Sequence, residues 1–262
     1  MSATAYEILQ AARAQTRQTA SDYISALIEE PFELHGDRVM ADDPAIVSGV
    51  GYIYDLPVTY IGIEKGKTIE ERILRNFGSP GPEGYRKALR LMEGAEKFRR
   101  PVLCLVDTAG AGAGESAEAH GQGQIISQNI ARMSELKTPV ITVIIGEGGS
   151  GGALGLAVCD RLVMLENAVY SVISPEGCAS ILWKDSSRVA QAAESLRITA
   201  ADMVHFGIAE EIIPEDFSDF CGMTERMKKS IYDSFTALLA LEVGELLEKR
   251  YHKFRKIGDF EK

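Results

Sequence analysis

Ile145-Gly146-Glu147-Gly148-Gly149-Ser150-Gly151-Gly152-Ala153-Leu154 sets five glycines between two apolar segments. Ahead of it, Pro139-Val140-Ile141-Thr142-Val143-Ile144 reads as a buried strand. Behind it, Leu154-Gly155-Leu156-Ala157-Val158 can begin a short buried helix. Glycine lets a main chain approach its neighbours closely and take positive φ, and free N–H groups at a helix start favour anionic oxygen. The stretch is expected to turn bare backbone toward a ligand. The plainer alternative is a tight turn with close helix–sheet packing, which needs one or two glycines rather than five.

Three templates fit. Gly146-x-Gly148-x-x-Gly151 matches a dinucleotide fingerprint, with Glu166 about twenty residues on. Against it, Asp160-Arg161 and a new strand arrive too soon for the helix that fold needs, and Glu147 would face a pyrophosphate. Gly148-x-Ser150-x-Gly152 matches a nucleophile elbow, but of His35, His120, His205 and His252 only His120 lies in a plausible loop. The third template, backbone N–H groups holding a developing negative charge, explains the glycines without a reactive side chain. A P-loop is excluded because no Lys-Ser or Lys-Thr follows.

Working outward, Val102-Leu103-Cys104-Leu105-Val106 is a second buried strand ending in the glycine-rich loop Asp107 to Gly114. Tyr85 to Arg99 and Gln124 to Leu136 carry helical spacing, and Arg161–Leu165 and Ala168–Ile173 read as strands. Ile46–Ile53 and Val58–Ile63 flank Asp55-Leu56-Pro57 as a hairpin. Thr4 to Glu30 reads as helix, Pro31 to Asp43 as loop, and Asn76 to Gly84 as an irregular loop. Two strands that each end in glycines, with helices between, make an α/β layout with a crevice at the strand ends. Phe217 to Phe254 is a helical tail with an apolar stripe of Phe235, Leu238, Leu239, Val243, Leu246 and Leu247, and its basic end, Lys249 to Lys256, reads as a solvated face.

The 262 residues carry a net charge of −10 and an ordinary share of apolar residues, 45%. Nucleic acid and anionic membranes are not expected partners. No apolar run approaches the roughly eighteen residues of a membrane span, and the first twenty residues lack an apolar signal core, so a cytoplasmic protein is expected. The four cysteines, Cys104, Cys159, Cys178 and Cys221, form no C-x-x-C pair and indicate neither zinc nor disulfides.

The chain resembles the alpha subunits of bacterial acetyl-CoA carboxylase carboxyltransferases. The resemblance is carried by Glu33-Leu34-His35-Gly36-Asp37-Arg38, Asp42 to Val47, Arg75-Asn76-Phe77-Gly78, Pro82 to Met92, Gly146 to Leu154 and Tyr170 to Lys184. It implies a crotonase-like (ClpP/crotonase) ββα superhelix in one domain, with helical extensions at about residues 1–30 and 217–256 around a core at about 44–215. One segment departs: the family's Asp-Thr-Pro-Gly-Ala-Tyr-Pro-Gly is here Asp107-Thr108-Ala109-Gly110-Ala111-Gly112-Ala113-Gly114, which predicts a looser loop.

The resemblance implies transfer of a carboxyl group from carboxybiotin on a separate carrier protein to acetyl-CoA, giving malonyl-CoA, the committed step of fatty acid synthesis. Gly151 and Gly152, with Ala153, would offer main-chain N–H groups to the ureido oxygen of biotin as it gains charge. Gly110, Gly112, Gly148, Gly149, Ser150, Ser174, Pro175, Glu176 and Gly177 would line the substrate path. No protein base is needed. No cofactor is bound covalently and no metal is expected here, since zinc belongs to a beta partner. The expected partners are that beta subunit in an alpha2beta2 assembly, a biotin carboxyl carrier protein and a biotin carboxylase. Two rivals remain. One is a crotonase-type acyl-CoA hydratase or isomerase using Glu115 or Glu118, and the other is a non-catalytic assembly subunit. Trp183 reads as a packing anchor.

Overall fold

The computed structural model describes residues 3–258. One sheet runs through the molecule. Its first three strands, β1 (Glu29–Glu33), β2 (Ile46–Ile53) and β3 (Leu56–Ile63), are antiparallel. From β3 the sheet continues in parallel through β4 (Val102–Thr108), β5 (Val140–Gly149), β6 (Arg161–Leu165) and β8 (Glu211–Ile213). The short β7 (Val169–Ser171) pairs with the far end of β5 at Glu147 to Gly149, beyond the segment that pairs with β6. Every residue of β4 is buried, as a parallel strand covered on both faces requires.

Helices cover this sheet. The predicted N-terminal helix is two helices, α1 (Ala5–Ala12) and α2 (Ala20–Leu27), each begun by a threonine with an acidic residue three positions on. Between β3 and β4 lie α3 (Ile69–Leu74) and α4 (Pro82–Lys97), and α4 buries Tyr85, Ala88, Leu91, Met92 and Ala95 against the sheet. Burying one such leucine or methionine contributes about 1.5–3 kcal/mol. The remaining helices are α5 (Glu115–Ala119), α6 (Gln122–Glu135), α7 (Ser150–Leu154), α8 (Pro175–Trp183), α9 (Val189–Leu196), α10 (Ala200–His205), α11 (Phe220–Leu239) and α12 (Val243–Lys256).

The structure corrects several sequence expectations. Residues Pro31 to Glu33 are strand rather than loop. All five β1 residues are exposed, so no apolar alternation marks an edge strand that can carry Pro31. The hairpin turn is Tyr54-Asp55, and Pro57 lies inside β3, where pairing with β4 starts only at Thr59. The helix α3 precedes the stretch expected to be irregular, Asn76 to Gly84, and Pro82 within that stretch begins α4 at the first helical position, where the N–H has no intrahelical partner. The tail is two helices, with Phe235 and Leu246 buried but Leu239 and Val243 exposed.

Its basic end is not a solvated face throughout, because Arg250 is only 1% exposed. Its guanidinium pairs with Asp160 at 2.7 Å and donates to the carbonyls of Met133, Leu136 and Thr138 at 2.7–3.0 Å. The last turn of α6 thereby finds a cationic partner for its free carbonyls.

Candidate active site

β4 and β5 run in register until Val106 faces Ile144, and regain it where Thr108 faces Gly148. Between those pairs, Asp107 alone stands against Ile145, Gly146 and Glu147. Such a bulge leaves main-chain groups without ladder partners, and side chains take them up. The N–H of Glu147 donates to Asp107 Oδ1 at 2.8 Å, and the carbonyl of Ile145 accepts from Arg17 at 2.6 Å.

The glycines that follow divide by what occupies the side-chain position. A Cβ at Gly146 would lie 2.4 Å from Asp107 Oδ1, one at Gly148 2.8 Å from the Tyr170 ring, and one at Gly149 2.1 Å from the Ala109 carbonyl. At Gly152 it would lie 2.4 Å from the Ala111 nitrogen. These four allow close approach to the neighbouring loop or strand. Gly151 is different: its nearest neighbour would be Ile126 Cγ2 at 3.9 Å. Gly146, Gly148 and Gly149 belong to β5, not to a loop, and Gly151 and Gly152 belong to α7.

Ser150 opens α7 at φ +51, a left-handed conformation costly for serine, and is exposed. Among the described residues, the N–H groups of Gly151 and Gly152 have no hydrogen-bond acceptor. Ser150 and Gly151 line a cavity of about 400 Å³ whose other walls include Leu154, Tyr170, Val172, Met203, Phe206 and Ile208. Gly151 is half-buried there, whereas Gly152 and Ala153 are buried, and the Gly152 carbonyl accepts from Tyr85 Oη at 2.8 Å.

The nucleophile-elbow template lacks its base. His35 pairs with Asp42, His120 with Glu83 and His252 with Glu248, while the His205 ring packs edge-on against Phe206. The dinucleotide template lacks its helix, since α7 has five residues. Glu115 and Glu118, the carboxylates of the hydratase alternative, are exposed on α5 and do not line the cavity beside Gly151.

Beneath the end of β5 lies an ionic cluster that sequence reasoning missed. Glu147 receives Arg13 Nε at 2.7 Å and Lys65 Nζ at 3.1 Å, and Lys65 also pairs with Asp107 at 2.6 Å. Burial pushes the Glu147 carboxyl up, but Lys65 and Arg13 outweigh it and hold the group below its ordinary value. Burial likewise opposes the charge on Lys65, yet Asp107 and Glu147 keep it raised. Arg13, Lys65 and Asp107 come from three distant segments, and the one local signal was an aspartate ending a buried strand.

The other candidates have assigned partners. Ser174 caps α8 by accepting from the Gly177 N–H at 3.1 Å, with Pro175 as the first helical residue. Glu176 is paired with Arg13 at 2.6 Å, a bond that lowers its pKa. Ser174 and Pro175 meet Gly148 and Gly149 across a narrow crevice. The loop after β4 is tied down at two points, Gly110 to Thr108 Oγ1 at 3.0 Å and the Gly112 N–H to the Pro80 carbonyl at 2.8 Å. Trp183 stacks under Arg188 at 4.3 Å, and Cys104 and Cys159 are core residues. Among the described residues no cluster of three His, Cys, Asp or Glu side chains is placed to hold a metal, and no helix is long and apolar enough to cross a membrane.

Comparison with known proteins agrees with this architecture. The chain is 55% identical over 249 residues to the acetyl-coenzyme A carboxylase carboxyl transferase subunit alpha of Streptococcus equi subsp. equi, covering 95% of this chain and 97% of that protein. It is 51% identical over 262 residues to the subunit of the same name from Listeria monocytogenes serotype 4b, covering 98% and 82%. Among solved structures, transcarboxylase 12S superposes with a TM-score of 0.69 at 16% identity, covering 85% of this chain and 42% of that one. A chain of the Pseudomonas malonate decarboxylase hetero-tetramer in complex with coenzyme A gives 0.69 at 15% identity, covering 89% and 94%. These neighbours have the crotonase fold, as expected from the sequence. Residues 1–258 match the family described as acetyl co-enzyme A carboxylase carboxyltransferase-like, and the chain belongs to that family.

Proposed function

We propose that this chain is the alpha subunit of an acetyl-CoA carboxylase carboxyltransferase, and that the start of α7 is its oxyanion site. The family makes the chain a biotin-dependent carboxyltransferase. Acetyl-CoA as acceptor, malonyl-CoA as product and a single carboxyltransferase domain are our reading. So are a beta partner that carries the zinc in an alpha2beta2 assembly, a biotin carboxyl carrier protein, a biotin carboxylase and a cytoplasmic location. The names of the relatives support the first of these.

The observation that carries the site is Gly151: among the described residues its N–H has no acceptor, its side-chain position is open, and it lines the cavity of about 400 Å³. The cavity fits biotin chemically, since apolar walls suit a ring system and the free N–H groups suit one polar oxygen. When bound, biotin supplies a carboxyl group at a ureido nitrogen and a ureido oxygen that gains electron density as that carboxyl departs. The residues of this chain do three things. The N–H groups of Gly151 and Gly152 offer fixed dipoles to the oxygen, and such donors cost no reorganisation during reaction. Leu154, Met203, Phe206 and Ile208 exclude water, which strengthens those dipoles. The Ala109–Ala111 segment holds the turn from behind.

The test is Gly151→Val in the enzyme co-purified with its native partners, assayed by malonyl-CoA decarboxylation with free biotin. Assembly should survive and the rate should fall about a hundredfold, because valine keeps the N–H but its side chain fills the open space beside it and denies the oxyanion that donor. Unaltered transfer would remove this turn from the reaction.

A further inference from the structure

We propose that Asp107 is a positioning residue that sets the height of the α7 turn by closing the bulge beneath it, an inference that rests on the oxyanion reading of that turn. Asp107 is 7% exposed and is the last residue but one of β4, where it stands alone against three residues of β5. At the bulge the β4–β5 ladder offers the buried Glu147 N–H no main-chain acceptor. Asp107 Oδ1 accepts it at 2.8 Å, and Gly146 has no side chain in the space where that carboxylate lies.

The carboxylate is buried beside one cation, Lys65 at 2.6 Å, whose stem passes 2.4 Å from the side-chain position of Gly78. Gly78 itself has φ +72, so the turn before α4 leaves room for the lysine. Lys65 neutralises Asp107, Asp107 fixes Glu147, and Glu147 is four residues from Gly151. A shift of the bulge by one residue would reverse which groups of β5 face Ala109 and would displace the N–H groups of α7. Displacement by about 1 Å is enough to cost a hundredfold in rate.

Two near-isosteric substitutions separate the hydrogen bond from bulk: Asp107→Asn keeps an oxygen for the Glu147 N–H, and Asp107→Leu removes it. Both are assayed in the co-purified complex, with kcat and KM for malonyl-CoA and with hydrogen exchange over residues 140–154. The expected result for Asp107→Leu is kcat lower by about tenfold to a hundredfold, KM within about twofold, and faster exchange at Glu147. Asp107→Asn should retain kcat within about threefold and keep the amide protected. Wild-type kcat in Asp107→Leu, or a loss carried by KM alone, would overturn the proposal. If Asp107→Leu fails to assemble, Asp107→Asn decides: retained rate with protected amides supports the proposal, and a deep loss with amides still protected overturns it. An active Gly151→Val enzyme would remove the oxyanion reading, whereas an active Asp107→Leu enzyme would remove only the role of Asp107.

Discussion

The side-chain position of Gly152 lies 2.4 Å from the main-chain nitrogen of Ala111, so the two glycine-rich segments touch backbone to backbone. A methyl group cannot enter that contact unless one of them moves. Gly152→Ala should therefore destabilise the protein by about 1–3 kcal/mol, the usual cost of overpacking. Gly151→Ala, with open space around it, should change stability by less than about 1 kcal/mol. Chemical denaturation of the two variants side by side checks this, and equal costs would contradict the division of roles.

Ser150 carries strain without a catalytic partner. Its φ of +51 suits glycine, and no histidine or carboxylate reaches its hydroxyl among the described residues. Ser150→Gly should raise stability by about 1 kcal/mol through relief of the left-handed conformation. Ser150→Ala should leave carboxyl transfer within about threefold of wild type; a nucleophile would lose several orders of magnitude. Steady-state rates of the alanine variant separate the two cases.

Arg250 and Asp160 form a buried pair, 1% and 3% exposed at the side chain. Removing the arginine leaves a buried carboxylate and three carbonyls without their donor. Arg250→Ala should cost about 3–5 kcal/mol, the range for breaking such a pair. The loss should appear as a lower urea midpoint, and replacing Asp160 by asparagine in that variant, which removes the unpaired charge but still accepts the Val140 N–H, should recover part of it. A cost near zero would return the tail to the solvated face expected from its charges.

Asp37 predicts the acid limb of stability. Burial raises its pKa, but the N–H groups of Val39, Met40 and Ala41 and the Arg86 guanidinium bring it down to about 2 from 3.8. Between those values the unfolded chain binds the proton and the native chain does not. The contribution is thus complete above about pH 3.8 and is lost as pH falls toward 2. It amounts to up to about 2 kcal/mol. Asp42, lowered to about 2 against burial by Lys87 and the Gly36 N–H, acts in the same window. Urea midpoints between pH 2 and 5 should fall less steeply for Asp37→Asn than for wild type, and parallel curves would refute the assignment.

Much of the molecule follows from local pattern. The apolar runs of β4 and β5, the amphipathic spacing of α4 and the glycines after Ile145 are decisive within their own windows, because burial and backbone freedom act over a few residues. Long motif blocks such as Gly146 to Leu154 and Tyr170 to Lys184 carried the family as well. Some features had no local trace. β1 is an exposed edge without alternation, and Arg250 looks like one more cation in a basic run until Asp160 and three carbonyls surround it. Arg13, Lys65 and Asp107 meet at Glu147 from segments far apart in the chain.

The sequence by itself determined that side chains are missing at five positions between a buried strand and a helix start. Only the tertiary structure decided which glycine is open. Four of the five side-chain positions are taken by Asp107, Tyr170, Ala109 and Ala111, neighbours brought by other strands and loops, and of the five Gly151 is the one that lines the cavity of about 400 Å³. A glycine records that a side chain is missing; whether protein or ligand fills the space depends on what the rest of the fold places beside it.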